Sequence, residues 1–170
     1  MLVIRKSNIT DLGFMYSHIL YGAKKGHYSF DAENEEMVRW MKKEMQSVVV
    51  NSKLLDERYA RAFIVILNNM RIGLFVLSQY TKNSSDVEIY AISITKKYQS
   101  KGYGRGVIDE IINRSTHENI YAKCSVASNK MSDLLLNKGF KPIGIDENHS
   151  IFIREALSHK DISQPVALHY

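Results

Sequence analysis

A glycine-rich segment in the second half of the chain reads Gln99-Ser100-Lys101-Gly102-Tyr103-Gly104-Arg105-Gly106. It lies between a run rich in β-branched residues and a run with helical spacing. Positions without side chains let backbone N–H groups converge, and a following helix adds the positive end of its dipole. Such a segment suits a phosphate or pyrophosphate, and Lys101 and Arg105 add positive charge to it.

Two familiar phosphate-binding loops fit this segment poorly. A P-loop ends in Gly-Lys-Ser/Thr, whereas the corresponding residues here are Gly104-Arg105-Gly106. The dinucleotide fingerprint requires glycines directly after the strand and an acidic residue about 20 positions later. Here the residues between Ile94 and Gly102 separate strand from glycines, and the downstream region reads Tyr121-Ala122-Lys123-Cys124. An ordinary turn is the simplest alternative.

Outward from the segment, apolar periodicity predicts eleven elements in the order β α α β β β α β α β β. Strands are predicted over 2–5, 62–67, 72–77, 87–94, 120–126, 140–145 and 151–154, and helices around 12–20, 37–45, 107–112 and 129–138. The tight connection Asn68-Asn69-Met70-Arg71 predicts an antiparallel hairpin. The fold class is therefore α+β, with a central mixed sheet flanked by helices.

Local signals predict where the first two helices begin and end. Asn8 or Thr10 can cap the first helix, and Gly22 and Gly26 are expected to end it. Asp31 is predicted to cap the second. The spacing of Met37, Trp40, Met41 and Met45 in that helix favours packing into the core over a cofactor site.

Composition narrows the function classes. The chain has 170 residues, a net charge of +5 and one cysteine, Cys124, which rules out an internal disulfide framework and a cysteine-built zinc site. The histidines show no ligand-pair spacing, so no metal site is expected. No apolar run approaches the ~20 residues of a membrane span, so we expect a cytoplasmic protein without membrane association. The local basic cluster fits a small polyanion, and direct nucleic-acid binding is disfavoured.

The strand, glycine segment and helix together resemble the GNAT (GCN-related N-acetyltransferase) superfamily. Its characteristic Gln/Arg-x-x-Gly-x-Gly/Ala loop is similar to Gln99–Gly104, preceded by the strand Val87–Ile94. The order of elements also matches the family's fold. The resemblance implies a GNAT-like acyl-CoA N-acyltransferase domain over residues 1–156, followed by a C-terminal tail over 157–170.

The resemblance also implies a cofactor and its contacts. The co-substrate would be acetyl-CoA, with its pyrophosphate on the backbone of Gln99, Ser100, Lys101, Gly102, Tyr103, Gly104 and Arg105. Asn129 begins a stretch similar to a second family signature and is also expected to bind the coenzyme. The strand Ile92, Ser93, Ile94 would pair with the pantetheine arm. A bulge would splay this strand from the strand at Ile120, and the N–H of Ile94 would stabilise the oxyanion.

Glu88 is the candidate general base. A protonated alkylamine has a pKa of about 10 and must lose a proton before it attacks a thioester. Many relatives carry a glutamate at this position, and strand periodicity predicts that Glu88, Tyr90, Ile92 and Ile94 share one face. The alternative is a solvated carboxylate at the exposed start of a strand.

The general acid is left unassigned. The tyrosine of the second family signature is replaced by Leu136, or by Leu135 when counted back from Gly139-Phe140. Tyr121, Cys124, Ser125, Ser132 and water are the candidate donors. A catalytic nucleophile at Cys124 is disfavoured, because a lone strand cysteine is usually a small core residue.

The sequence therefore predicts transfer of an acetyl group from acetyl-CoA to an amine by direct attack in a ternary complex. The acceptor is an amine on a small molecule or a protein, with an aminoacyl-tRNA as a further option, and a homodimer stays open. A non-catalytic coenzyme A-binding regulatory module is the alternative, and a basic nucleic-acid-binding protein is the third hypothesis.

Overall fold

The computed structural model describes residues 1–157, so all but the first residue of the predicted tail lies outside it. Within this range the predicted order of elements is confirmed. They are β1 (Leu2–Lys6), α1 (Leu12–Lys24), α2 (Glu35–Asn51), β2 (Ala60–Leu67), β3 (Met70–Gln79), β4 (Val87–Ile94), α3 (Tyr103–Arg114), β5 (Ile120–Ser125), α4 (Asn129–Asn137), β6 (Lys141–Asp146) and β7 (His149–Arg154).

The seven strands form one sheet in the order β1-β2-β3-β4-β5-β7-β6. Only β4 and β5 pair in parallel, and α3 connects them; the other neighbouring strands are antiparallel. The predicted α+β class with a mixed, mostly antiparallel sheet is confirmed.

Each face of the sheet is covered by helices. Val107, Ile108 and Ile111 of α3 pack with Leu135 of α4 on one face. On the other face, α1 and α2 bury the side chains Met15, Ile19, Met41, Met45 and Val48. Complete burial of one such side chain stabilises the fold by about 1.5–3 kcal/mol, so both layers contribute to holding the sheet.

The predicted hairpin between β2 and β3 is confirmed, and its turn is shorter than the four-residue connection predicted from the sequence. Only Asn68 and Asn69 lie between the strands, with φ values of 48° and 64°. Two consecutive left-handed residues are typical of a type I′ turn, whose twist matches that of the paired strands.

The predicted helix boundaries need two corrections. Asn34 caps α2, because its side-chain oxygen accepts hydrogen bonds from the amides of Glu36 and Met37. Asp31 caps a preceding turn at Glu33 instead. In α1, Gly22 lies inside the helix, which continues to Lys24.

The prediction that Trp40 and Met37 pack in the core is wrong. Trp40 is 47% exposed and Met37 is 42% exposed, whereas Met41 and Met45 are buried. The buried stripe of α2 runs through Met41, Met45 and Val48, and Trp40 lies about 100° around the helix from Met41.

Candidate active site

A cleft opens where β4 separates from β5. The two strands pair only through Val87–Ile89 opposite Ile120–Ala122. The register of β3 against β4 shifts at the same point, because Val76 pairs with Ala91 and Leu77 with Ile89. One extra residue, Tyr90, is therefore inserted as a bulge. The bulge and splay that the resemblance implied are both present.

The bulge overturns the predicted alternation along β4. Glu88 and Tyr90 both lie toward Arg58, on the face covered by α1 and α2. Ile92 and Ile94 pack against the opposite cluster, beneath α3. A bulged residue shifts the period of two by one position, so these four residues do not share a face.

Beyond the bulge, β4 has an open edge formed by the backbone of Ile92 and Ile94. The amide of Thr95 donates to Ile72 O on β3, and Ser93 lies opposite Leu74 in the same register. Backbone N–H and C=O groups of successive residues point to opposite sides of a strand. Those of Ile92 and Ile94 therefore point away from β3, toward β5. The pairing with β5 ends at Ile89, so neither amide has a strand partner on that side within residues 1–157.

The carbonyls on the open edge already have donors. The hydroxyl of Tyr28 donates to Ile92 O at 3.1 Å, and Nε2 of Gln99 donates to Ile94 O at 2.7 Å. The open edge therefore presents two amide donors to the cleft. That arrangement suits a carbonyl or oxyanion acceptor.

Glu88 lies at the closed end of the cleft, on the last paired stretch of β4. The side chain is 11% exposed, which contradicts the alternative of a solvated carboxylate. Its Oε2 accepts a hydrogen bond of 2.6 Å from Nη1 of Arg58. Its Oε1 has no hydrogen-bond partner in the part of the chain that the structure describes, so one oxygen is available to accept a proton.

The glycine segment (Gln99–Gly106) combines left-handed backbone with a helix start. Ser100 and Gly102 have φ values of 59° and 86°, and α3 begins at Tyr103, so Gly104 and Gly106 lie inside the helix and not before it. Gly102 caps α3 without a side-chain hydrogen bond, and no acidic residue occupies the first turn. The N-terminal amides and the positive helix end are thus left for an anion.

Basic side chains surround the glycine segment. Lys97 and Lys101 each place Nζ 5.7 Å from the ring centroid of Tyr98. Lys130, in the first turn of α4, donates to Ser100 Oγ at 3.3 Å. Asn129, the first residue of α4, is exposed next to Lys130.

A family model supplies the comparison that identifies this architecture. The model of the acetyltransferase (GNAT) family matches residues 27–140, which include β4, the glycine segment and Asn129. The chain belongs to the GNAT acetyltransferase family. No curated protein sequence matches it significantly.

Solved structures of GNAT proteins share the fold at low sequence identity. An acetyltransferase of Thermus thermophilus has a TM-score of 0.70 at 16% identity over 91% of this chain and 96% of that one. A spermidine N-acetyltransferase of Vibrio cholerae, in complex with CoA and spermine, has a TM-score of 0.67 at 18% identity over 89% and 92%. The PaiA N-acetyltransferase of Thermoplasma acidophilum, in complex with coenzyme A, has a TM-score of 0.70 at 17% identity over 91% and 99%.

The candidate proton donors of this GNAT chain differ in environment. Cys124 is 5% exposed, and burial raises its pKa to about 11, so the thiol stays protonated at neutral pH. The hydroxyl of Ser125 donates to Gly26 O at 2.5 Å. Tyr121 stacks on Tyr80 with centroids 3.6 Å apart.

Arg58 and His18 also contact the site, and neither was predicted from the sequence. Arg58 lies in the connection between α2 and β2, and nothing local distinguishes it from a surface arginine. His18, beside the apolar stripe of α1, places Nδ1 2.9 Å from Ser93 Oγ and Nε2 3.3 Å from Thr95 Oγ1. Burial lowers the pKa of His18, which favours the neutral ring.

Neither a metal-binding cluster nor a membrane-spanning helix is found among residues 1–157. No group of three or more His, Cys, Asp or Glu side chains is arranged to hold a metal ion. No helix in this range has the length and apolarity to span a membrane.

Proposed function

We propose that this GNAT chain transfers the acetyl group of acetyl-CoA to an amine by direct attack in a ternary complex. The observation that carries the proposal is the open edge of β4, which has two free amide donors and is joined to the glycine segment by a single short turn at Lys96–Tyr98. A thioester lying in the cleft would have its carbonyl beside the amide donors and its coenzyme phosphates beside the helix start.

Coenzyme binding is assigned to three parts of the chain. The amides of Gln99–Arg105 would hold the pyrophosphate, and Lys101 and Arg105 would supply charge. The backbone of Ile92–Ile94 would orient the pantetheine arm. The N–H groups of Ile92 and Ile94 face the cleft, whereas the backbone of Ser93 pairs with β3. Asn129 would contact the coenzyme from the start of α4.

The chemistry needs one base and one oxyanion donor. Oε1 of Glu88 accepts a proton from the ammonium, directly or through water, and frees the nitrogen lone pair. The nitrogen forms a bond to the acetyl carbon, and the C=O electron pair moves to oxygen, which the N–H of Ile94 stabilises. The carbonyl re-forms as the C–S bond breaks, the electron pair leaves on sulfur, and the nitrogen gives its second proton to water, so that a neutral amide is released.

The acceptor is an amine on a small molecule or a protein. The net charge of +5 favours a neutral or anionic acceptor over a polycation.

Thiol release over a panel of amines tests the proposal. We expect acetyl-CoA to raise the melting temperature and bind in calorimetry, and free thiol to appear only with a productive amine. Binding of acetyl-CoA without thiol release from any amine class would instead support the non-catalytic coenzyme A-binding module. The leucine at position 136 favours that second candidate.

We also place the domain over residues 1–156 and the tail over 157–170. The amide of Ala156 donates to Asn119 Oδ1, and that of Leu157 donates to Thr116 O, so the chain is held as far as this point. A chain truncated after Leu157 is expected to keep its melting temperature and coenzyme affinity; loss of either would place the tail within the domain.

A further inference from the structure

The connection between α1 and α2 crosses the cleft between the separated strands. Its residues 26–28, here called the strap, touch β4 at one end, where the Tyr28 hydroxyl donates to Ile92 O. At the other end, Gly26 O accepts from Ser125 Oγ at the end of β5, and Nδ1 of His27 lies 2.8 Å from Ser128 Oγ. Tyr28 is therefore held over the open edge from both sides.

Gly22 fixes where the Tyr28 ring can lie. A Cβ on Gly22 would collide with Cε2 of that ring, so only glycine at this point of α1 leaves room for it. The ring packs against the core cluster beneath α1 and α2, while its hydroxyl reaches the cleft. Burial raises the pKa of Tyr28 well above its usual value, so the phenol keeps its proton and acts as a hydrogen-bond donor.

The last turn of α4 supplies no comparable hydroxyl at the signature position. Leu135 is buried in the core and Leu136 is half exposed. Ser125 is engaged by the strap, and Cys124 is a buried thiol. Among the described residues, Tyr28 supplies the hydroxyl that hydrogen-bonds to the backbone of the open edge.

We propose that Tyr28 donates its hydroxyl hydrogen bond to the departing sulfur, the role left vacant in α4. The inference rests on the proposed function. As the tetrahedral intermediate collapses, the C–S bond breaks, its electron pair stays on sulfur, and the O–H of Tyr28 turns from Ile92 O to the thiolate. No proton is transferred from the phenol, because a thiol with a pKa of about 8.5 leaves as a thiolate and is protonated later by water.

Tyr28→Phe tests this role with little change in volume. A hydrogen bond to a charged group of this kind accelerates turnover by about 10- to 100-fold, so we expect kcat to fall by that factor while the Kd for acetyl-CoA changes by less than about threefold. Tyr59→Phe is the matched control, since Tyr59 is 61% exposed and lies outside the cleft, and it should turn over at the wild-type rate.

A second variant separates chemistry from packing. Replacement of Tyr28 by 3,5-difluorotyrosine keeps the ring and hydroxyl and strengthens the donor, so its kcat should equal or exceed that of wild type. Two results would overturn the inference alone: a wild-type kcat for Tyr28→Phe, or a difluorotyrosine variant as slow as Tyr28→Phe. If Tyr28→Phe binds acetyl-CoA more tightly with an unchanged kcat, the inference is also overturned, because Tyr28 would then compete with the coenzyme for Ile92 O. Absence of thiol release from the wild-type protein would remove the proposed function and this role together.

Discussion

Nη1 of Arg58 and Oε2 of Glu88 lie 2.6 Å apart, with both side chains largely buried at the closed end of the cleft. Arg58 also donates to the carbonyls of Gln79 and Tyr80 and to Asp56. The guanidinium is thus held by several acceptors and fixes the orientation of the carboxylate. A base whose geometry is set before the substrate arrives loses less entropy when it acts.

Glu88→Gln should lower kcat by about 100-fold, within the usual contribution of a general base. The defect should be largest below neutral pH and shrink as pH rises, because a growing share of the amine is already unprotonated. The pH–rate profile, recorded from acid to alkaline pH, measures this. Asp56→Asn is the matched control, since it removes the other carboxylate of Arg58 without touching β4. An unaltered profile for Glu88→Gln would remove Glu88 as the base.

Gly104→Glu should weaken acetyl-CoA binding by at least about 100-fold, because a carboxylate beside bound phosphates is a like-charge contact. Gly104→Ala is the control: a Cβ there meets only Leu134 Cδ2, at 3.9 Å. An acidic residue at a helix start does not destabilise the helix, so the melting temperature of both variants should hold. Calorimetric titration measures the affinity, and equal affinity in the two variants would contradict the assignment of the phosphate site.

Cys124→Ala should retain kcat to within about twofold, since a thiol with a raised pKa is a poor nucleophile. In the folded protein at mildly alkaline pH, the thiol should react with a disulfide reagent far more slowly than after denaturation. Rapid modification of the native protein, or loss of turnover in the alanine variant, would show an activated cysteine.

Asp11 should make stability depend on pH in the acid range. Hydrogen bonds from Arg5 lower its pKa from 3.8 to about 2 in the folded protein, and the side chain is fully buried. This contribution is present in full above about pH 4 and is lost as pH falls toward about 2, an effect of about 2 kcal/mol. Urea unfolding of Asp11→Asn across that acid range should show a shallower slope than the wild type, with the remainder coming from other carboxyls of lowered pKa such as Asp56. The exposed Asp133→Asn, as control, should keep the wild-type slope.

Several local features could be predicted because their signals are local. The Asn68-Asn69 turn and the apolar periodicity of α1 and α3 depend on neighbours within one turn or strand. Boundaries failed where two residues competed for one role: both Asp31 and Asn34 can cap, and only the position of α2 against the sheet selects Asn34.

The features of the candidate site also fall into those predicted from local sequence and those set by tertiary contacts. The sequence alone determined the glycine segment between strand and helix, the strand that carries Glu88 and the missing tyrosine, because these are properties of consecutive residues. The tertiary structure decided that Glu88 is paired with Arg58, thirty positions earlier in the chain, that Tyr28 reaches Ile92 across the cleft, and that Ile92 and Ile94 turn away from the face of Glu88. The ion pair and the hydrogen bond of Tyr28 are contacts between elements that are distant in the chain. The orientation of Ile92 and Ile94 follows from one inserted residue, Tyr90, which reverses the side of every later side chain of β4 and has no signature in the local composition.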